Sequence, residues 1–345
     1  MTLVDDEKLP AAIIFGCAGT TLSAEEAFFF QQTDPLGFIL FARNCDTPDQ
    51  VRDLVSALRD CVGRDDAPVM IDQEGGRVQR LTAPHWKKRP AQGLFARMAA
   101  EDLTLAREAA SMNARLIAED LRDLGIDVNC LPVLDVPVAG AHDIIGDRSF
   151  GPDPELVADL GEAVIAGLMA GGVTPVIKHL PGHGRARADS HLDLPRVDTD
   201  LDTLRETDFL PFRLLNFAPW AMTAHIVYEA IDAERPATLS DTLVQTIIRG
   251  EIGFQRFLVS DDITMKALSG HASVNAAAAL DAGCDAALHC NGVLEEMIDV
   301  AEFLPGLTGM AWQRYQSARA MMPVVEEIDV AAYEAHLDAI IAPWR

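Results

Sequence analysis

Short apolar runs alternate with amphipathic segments along most of the chain. The runs are rich in valine and isoleucine and are apolar almost throughout, which predicts strands buried on both faces of a sheet. Eight such strands are predicted, at 11–17, 37–44, 67–74, 126–136, 173–180, 221–228, 257–263 and 285–291. Apolar residues at helical spacing predict helices between them, most clearly at 49–63, 103–124 and 154–172.

Eight strand-then-helix units predict an α/β fold in which a parallel sheet closes into a (β/α)8 barrel of the TIM type. An open, doubly wound sheet is the alternative that the same alternation allows. The length of 345 residues suits a barrel that forms one domain. We therefore expect a single domain over 1–345, with a C-terminal helical extension at about 327–342.

The composition narrows the class of protein. Hydrophobic residues make up 49% of the chain, enough for a large core. The net charge of −25 and a single tight basic cluster, at 87–89, argue against a nucleic-acid partner. No segment reaches the roughly 18 uncharged apolar residues of a membrane helix, so no membrane partner is expected. Nothing in the sequence predicts an obligate protein partner.

The start of the chain and the cysteines bear on location. The N-terminal residues lack a basic region followed by a long apolar stretch, which argues against a secretory signal. Six cysteines are scattered without close pairs, a pattern that favours free thiols in a reducing compartment. Cys284 and Cys290 bracket an apolar run and are expected in the core. A cytoplasmic location is the prediction.

Polar side chains follow most of the predicted strands. They are Arg43, Asn44, Asp72, Asp135, Lys178, His179, His225, Asp261, Asp262, His289 and Asn291. In a barrel these positions crowd the C-terminal rim, where active sites of this fold lie. For Asp135, Arg43 and Asn291 the favoured interpretation is structural. Asp72 and Arg80, in DQEGGRVQR, either contact a polar ligand or form an internal salt bridge.

The segment KHLPGHGRARADSHLDLP (178–195) holds three of the nine histidines. Their spacing does not match a regular metal site, so no metal is predicted. Asp189 and His191 are two residues apart, which places a carboxylate near an imidazole for proton transfer; a surface histidine in a turn is the alternative. The run ending in Ser260, Asp261 and Asp262 brings a carboxylate to the same rim. A carboxylate and a protonatable partner are the minimum for glycosidic hydrolysis.

Five segments, taken in order, resemble glycoside hydrolase family 3. They are IDQEGGRVQRL, GDRSF, KHLPGHGRARADSHLDLP, AHIVYEAID and SDDITM, and the resemblance runs from about residue 11 to about 292. Within the family the chain is most similar to single-domain bacterial β-N-acetylglucosaminidases, which recycle cell-wall muropeptides. The resemblance implies a retaining exo-β-N-acetylhexosaminidase that releases terminal N-acetylglucosamine from its 1,6-anhydro-N-acetylmuramic acid conjugate during peptidoglycan recycling.

The resemblance also implies residue roles. Asp261 matches the nucleophile, His191 the general acid/base, and Asp189 its dyad partner. The residues that match those holding N-acetylglucosamine are Asp72, Arg80, Arg148, Lys178 and His179. The expected partner is a small carbohydrate substrate, and the mechanism requires no metal or organic cofactor. The glycines and proline of 181–192 are expected to make a mobile arm that carries His191, and an arginine in 185–188 to contact substrate or solvent.

The sequence leaves three alternatives open. A neutral histidine does not repel phosphate, so a β-N-acetylglucosaminide phosphorylase is possible on the same site, and added phosphate would accelerate it. A β-glucosidase is the second, because the sequence does not reveal the pocket for the acetamido group. The third, from a different class, is a non-catalytic sugar-binding barrel. It would normally lack Asp261 or His191, and both are present.

Overall fold

The centre of the molecule is a closed barrel of eight parallel strands, in a computed structural model that describes residues 9–140, 145–186 and 194–345. The strands are β1 (Ala11–Gly16), β2 (Pro35–Leu40), β3 (Val69–Ile71), β4 (Val128–Asn129), β5 (Thr174–Leu180), β6 (Trp220–Thr223), β7 (Phe257–Asp262) and β8 (Ala286–His289). They follow one another around the barrel in chain order, and β8 closes on β1 with Phe15 beside His289. The predicted (β/α)8 barrel is confirmed, and the open sheet is excluded.

The alternation of side chains along each strand builds two apolar layers. Ile14 and Leu288 belong to the cluster inside the barrel. Ile13 and Phe15, one residue away on β1, belong to the larger cluster that includes the surrounding helices. Because successive residues point to opposite faces and both faces are buried, a strand here is apolar at nearly every position.

Helices surround the barrel. They are α1 (Ala24–Thr33), α2 (Pro48–Val62), α3 (Gln92–Ala99), α4 (Leu103–Asp123), α5 (Pro154–Ala170), α6 (Leu201–Glu206), α7 (Leu210–Leu214), α8 (Ala272–Ala282), α9 (Leu294–Ala301), α10 (Gly309–Ala320) and α11 (Val330–Ile341), with a π-helix at Thr242–Glu251 and 3-10 turns at Ala42–Asn44, Gly146–Arg148, Ala237–Leu239 and Ala342–Trp344. The carboxylates of Asp102 and Asp153 cap α4 and α5, and Gly63 ends α2 in the left-handed conformation. These signals explain why the three clearest predicted helices are found within two residues of their expected bounds.

The fourth strand is much shorter than the predicted 126–136. Its ladder covers only Val128 and Asn129. Pro132 has no N–H to donate to a ladder, which interrupts the pairing. The chain still runs beside β5, because Leu131 accepts from the N–H of Val176 at 3.1 Å and the N–H of Leu134 donates to Lys178 at 2.8 Å.

Three other predicted strands also end early, because the chain turns onto the C-terminal rim. The run 67–74 stops at Ile71, and Gln73–Gly75 pairs antiparallel with Val78–Gln79. The run 221–228 stops at Thr223, and Val227–Tyr228 pairs with Arg196–Val197. The run 37–44 stops at Leu40 and passes into a 3-10 turn. Apolar residues continue beyond the barrel ladder after Thr223 and Leu40, whereas the residues that follow Ile71 are polar.

The opposite end of the barrel is closed by aromatic side chains. Trp220 and Phe257 begin β6 and β7, and their ring centroids lie 4.5 Å apart. Tyr315 of α10 contacts both rings at 6.1 and 5.8 Å, and Trp312 stacks on Tyr315 at 5.3 Å. We call these four residues the aromatic floor. It joins a helix that follows the last barrel unit to the barrel interior.

The cysteines agree with the expectation of free thiols. All six are free, and Cys17, Cys130, Cys284 and Cys290 are buried. The predicted core positions of Cys284 and Cys290 are therefore confirmed. Within the described ranges, none of the helices combines the length and the apolar character that a membrane crossing requires.

His289, at the end of β8, is a buried histidine outside the barrel interior. Its ring contacts Phe15, and neither ring nitrogen has a hydrogen-bond partner among the described residues. Burial lowers the pKa of His289 from 6.5 to about 4. The unfolded chain therefore binds a proton at a pH where the folded protein does not. Neutral His289 makes its full contribution to the free energy of unfolding above pH 6.5. As the pH falls towards 4 that contribution is lost, and the free energy of unfolding decreases by about 3 kcal/mol in total.

Replacing His289 with leucine should reduce the loss of unfolding free energy that the protein shows as the pH falls below 6.5. Urea unfolding midpoints at pH 7.5 and pH 4.5 measure this, and the wild type should lose more stability over the interval than His289→Leu. The exposed His85 offers the control, since His85→Gln should leave the wild-type profile unchanged. Parallel profiles for His289→Leu and the wild type would contradict the assignment.

Candidate active site

A cavity of about 400 Å³ opens at the C-terminal ends of the strands. It is lined by six of the eight residues to which the sequence assigned a role: Asp72, Arg80, Arg148, Lys178, His179 and Asp261. These residues come from well-separated parts of the chain, and the closed parallel sheet brings them to one rim. His191 and Asp189, the other two, lie outside the described residues.

Five charged side chains form a continuous cluster in this cavity. Lys178 Nζ lies 2.8 Å from Asp72 Oδ1 and 2.7 Å from Glu74 Oε1. Arg80 Nη2 lies 3.0 Å from Asp72 Oδ2. Arg148 binds both oxygens of Glu74, with Nε and Nη2 at 2.8 Å each. The order Arg80, Asp72, Lys178, Glu74, Arg148 defines the charge cluster, which sets three cations against two carboxylates.

The members of the charge cluster keep one another ionised. Burial raises the pKa of Asp72, but Lys178 and Arg80 outweigh it and hold that pKa well below the usual range. Burial likewise lowers the pKa of Lys178, and Asp72 and Glu74 reverse this and hold it above its ordinary value. The cavity thus contains fixed, charged hydrogen-bonding groups that need not reorganise around a polar ligand.

Glu74 is the member that sequence reasoning missed. It stands in the same motif as Asp72, two residues later, and its side chain is only 2% exposed. In an extended segment, residues two apart point to the same side, so this spacing could have identified it. The internal salt bridge between Asp72 and Arg80, expected as an alternative, is present, and both residues line the cavity as well.

His179 is held by Asp135, which is completely buried at the end of the fourth predicted run. Asp135 Oδ2 lies 2.7 Å from His179 Nδ1, and its Oδ1 accepts the backbone N–H groups of His179 and His183 at 3.1 and 2.6 Å. Burial raises the pKa of Asp135, but His179 and these donors outweigh it and lower it to about 2. Asp135 therefore orients the ring that lines the cavity, which confirms its structural interpretation.

His183 received no role from the sequence, but it also lines the cavity. Its side chain is buried, and its ring centroid lies 5.5 Å from that of His179. Burial, with the neighbouring His179, lowers the pKa of His183 to about 4. The ring is neutral at neutral pH. The sequence could not signal this, because histidine spacing does not reveal burial.

The described base of the predicted arm, residues 181–186, is packed against the barrel. A Cβ added at Gly184 would lie 2.0 Å from the carbonyl oxygen of Val136. Glycine at this position therefore allows the two backbone segments to approach each other closely. The Tyr228 hydroxyl donates to the carbonyl of Gly182. Arg185 Nε lies 2.6 Å from Asp208, so this arginine contacts protein. Arg187, the other arginine of 185–188, lies outside the described residues. At these positions glycine provides packing. The part of the predicted arm from 187 to 192, with His191, lies outside the described residues.

Asp261 and Asp262 end β7 and have different surroundings. The N–H of Asp262 donates to Asp261 Oδ1 at 2.8 Å, and Asp261 lines the cavity. The carboxylate of Asp262 accepts the Thr264 hydroxyl and the N–H groups of Thr264 and Cys290, at 2.8 to 3.1 Å. Burial raises the pKa of Asp262. The carboxylate of Asp262 therefore ties the rim loops together, and Asp261 is the candidate for chemistry.

The structural interpretation of Arg43 and Asn291 is also confirmed. Arg43 donates to the carbonyls of Cys17 and Cys290 at 3.0 and 2.5 Å, which links the ends of β1 and β8. Asn291 donates to Glu296 at 2.6 Å. Arg43 and Arg80 both lie over the ring of Phe41, at 4.9 and 5.3 Å from its centroid.

Comparison with known proteins agrees with this geometry. Residues 19–311 match the glycosyl hydrolase family 3 N-terminal domain. The beta-hexosaminidase of Alkalilimnicola ehrlichii is 39% identical over 283 residues, covering 81% of this chain and 80% of that protein. The beta-hexosaminidase of Pseudomonas aeruginosa is 37% identical over 286 residues, with coverage of 82% and 83%.

Solved structures extend the similarity to the whole fold. Native NagZ from Neisseria gonorrhoeae has a TM-score of 0.85 at 31% identity, covering 98% of each chain. The same protein in complex with N-trifluoroacetyl-D-glucosamine also has a TM-score of 0.85, at 31% identity, over 97% of this chain and 99% of that one. The chain described here belongs to glycosyl hydrolase family 3.

Proposed function

We propose that this protein is a retaining exo-β-N-acetylglucosaminidase that releases terminal β-linked N-acetylglucosamine. The observation that carries the proposal is a rim cavity that Asp261 lines together with the charge cluster and His179. The relatives named beta-hexosaminidases, and the related NagZ that binds an N-acylated glucosamine, support this choice of sugar. A cavity of this size and polarity suits one hydroxyl-rich ring.

In the proposed mechanism Asp261 attacks the anomeric carbon as the leaving oxygen departs. A bond forms between the carboxylate and that carbon, and the glycosidic C–O bond breaks through an oxocarbenium-like transition state. His191, as imidazolium, gives its proton to the leaving oxygen. Neutral His191 then takes a proton from the water that hydrolyses the glycosyl-enzyme, and Asp189 stabilises the charged ring. The roles of His191 and Asp189 rest on the sequence motif.

The charge cluster and His179 are proposed to hold the sugar hydroxyl groups. Asp72 accepts hydrogen bonds, and Arg80, Arg148 and Lys178 donate them. Charged groups in a cavity with little water bind hydroxyls more strongly than neutral groups do. Because their mutual ion pairs fix their positions before substrate arrives, little ordering accompanies binding.

The natural substrate is proposed to be a muropeptide fragment in which N-acetylglucosamine is linked to 1,6-anhydro-N-acetylmuramic acid. This assignment rests on the sequence resemblance to the muropeptide-recycling branch of the family. We also propose that the enzyme works in the cytoplasm as part of peptidoglycan recycling. The six free cysteines support that location, since a reducing compartment preserves such thiols.

The first test compares initial rates on p-nitrophenyl β-N-acetylglucosaminide and β-glucoside. We expect kcat/KM to favour the acetamido sugar by about 10²-fold or more, because a site that hydrogen-bonds an N–H discriminates against the analogue without it. The α-anomer is the control and should not be cleaved. Equal rates, or a preference for glucose, would contradict the substrate assignment. A strong acceleration by phosphate would instead indicate a phosphorylase.

A further inference from the structure

Three fully buried polar side chains lie directly behind Asp261. Thr223 and His225 belong to the end of β6 and the residues that follow it, and Thr238 belongs to the 3-10 turn Ala237–Leu239. None of the three lines the cavity. We call them the hydroxyl–imidazole circuit, because hydrogen bonds join them in series and connect both ends of the series to the backbone of β7.

The circuit holds the backbone on both sides of the Asp261 carboxylate. Thr223 Oγ1 accepts the N–H of Asp261 at 3.3 Å. Thr223 Oγ1 and Thr238 Oγ1 lie 2.8 Å apart, and Thr238 Oγ1 lies 2.8 Å from His225 Nδ1. His225 Nε2 donates to the carbonyl oxygen of Asp262 at 2.8 Å. A carbonyl oxygen can only accept, so Nε2 carries a proton in this arrangement.

The hydrogen bonds of the circuit begin where the ladder between β6 and β7 ends. The register between β6 and β7 pairs Phe257 with Trp220, Leu258 with Ala221 and Val259 with Met222. After Val259, that paired register gives way to the Thr223 and His225 contacts. On the other side of β7 the register with β8 shifts between Val259 and Asp262, and the Ser260 hydroxyl accepts the N–H of Leu288 at 2.9 Å. Side chains thus hold residues 260–262 on both sides.

We propose that His225 is a positioning residue for Asp261 and acts through this circuit. The inference rests on the proposed function, in which Asp261 is the nucleophile. With the N–H of Asp261 and the carbonyl of Asp262 both fixed, the backbone that carries the nucleophile has one position relative to the sugar. A displacement of about 1 Å at a reacting group can lower a rate by about 10²-fold, so this restraint has a kinetic consequence.

The test uses His225→Leu, which removes both ring contacts, and His225→Gln, whose side-chain amide can still donate near the position of Nε2. For His225→Leu we expect kcat to fall by about 10²-fold, with KM and the inhibition constant of N-acetylglucosamine within about twofold of wild type. His225→Gln should recover at least about tenfold of that loss. Thr223→Val removes the other end of the circuit without changing shape and should lower kcat in the same way.

The matched control is Ile226→Ala. Ile226 is completely buried next to His225 but lies outside the cavity lining, so its truncation should lower the thermal midpoint and leave kcat unchanged. A structural role for His225 predicts that kcat follows the midpoint in every variant. The proposal is overturned if folded His225→Leu and Thr223→Val keep wild-type kcat, or if Ile226→Ala loses as much kcat as they do.

The same measurements separate this inference from the proposed function. If the wild type does not hydrolyse β-N-acetylglucosaminides, or if Asp261→Ala retains its rate, the proposed function fails and the circuit has no nucleophile to position. If the wild type is active and Asp261→Ala is inactive, but the His225 and Thr223 variants keep full kcat, only the positioning role fails.

Discussion

Asp261→Ala is expected to lower kcat on a β-N-acetylglucosaminide by on the order of 10⁴-fold or more. In the proposed mechanism no glycosyl-enzyme can form without this carboxylate. Asp262 cannot replace it, because its oxygens accept hydrogen bonds from Thr264 and from the backbone of Cys290. The steady-state rate of p-nitrophenol release measures the effect, and KM should change far less than kcat.

Azide provides the positive control for this variant. In the space left by the carboxylate, azide can attack the anomeric carbon from the same face, and the product is then an α-glycosyl azide. Formation of that product with restored turnover identifies Asp261 as the nucleophile. Glu295→Gln, which changes an exposed carboxylate outside the cavity lining, should keep the wild-type rate. An Asp261→Ala enzyme with most of its activity would sink the assignment.

Glu74→Gln is expected to destabilise the fold by about 3–5 kcal/mol, the range for breaking one partner of a buried ion pair. The wild-type charge cluster has three cations and two carboxylates, and the variant has three cations and one. Arg148 loses its paired carboxylate, because an amide offers one acceptor oxygen in place of two and carries no charge, and Lys178 loses one of its two carboxylates. The urea unfolding midpoint, measured without ligand, reports the change.

A double-mutant cycle tests whether charge balance is the cause. Lys178→Met combined with Glu74→Gln leaves two cations and one carboxylate, the same excess of one cation as in the wild type. The double variant should therefore lose less stability than the sum of the two single variants. Additive losses would show that the cluster acts as separate contacts and would contradict the charge-balance explanation.

The barrel and most of the cavity were predictable because both follow from local sequence patterns. Apolar runs with intervening helices predict parallel strands, and the ends of parallel barrel strands meet at one rim. Asp72 and Asp261 could therefore be placed together although they are far apart in sequence. The family motifs supplied Arg148, which lies in a 3-10 turn and follows no predicted strand.

The missed features depend on contacts across the barrel. The spacing of two residues from Asp72 places Glu74 on the same side of its segment, but it does not show that Lys178 and Arg148 reach Glu74 from other elements. The strand ends were overextended because apolar residues continue after the ladder stops, as at Thr223 and Pro132. At these positions side-chain hydrogen bonds, or the missing N–H of proline, decide where pairing ends.

The aromatic floor has a consequence for how such an enzyme can evolve. Its rings hold the barrel closed at the end opposite the charge cluster, with α10 as an added partner from outside the eight repeated units. The floor contributes to the persistence of the fold alone, whereas the rim is also under selection for substrate preference. The charge cluster and the aromatic floor have no residue in common. Substitutions that change substrate preference at the rim can therefore accumulate while the floor stays intact.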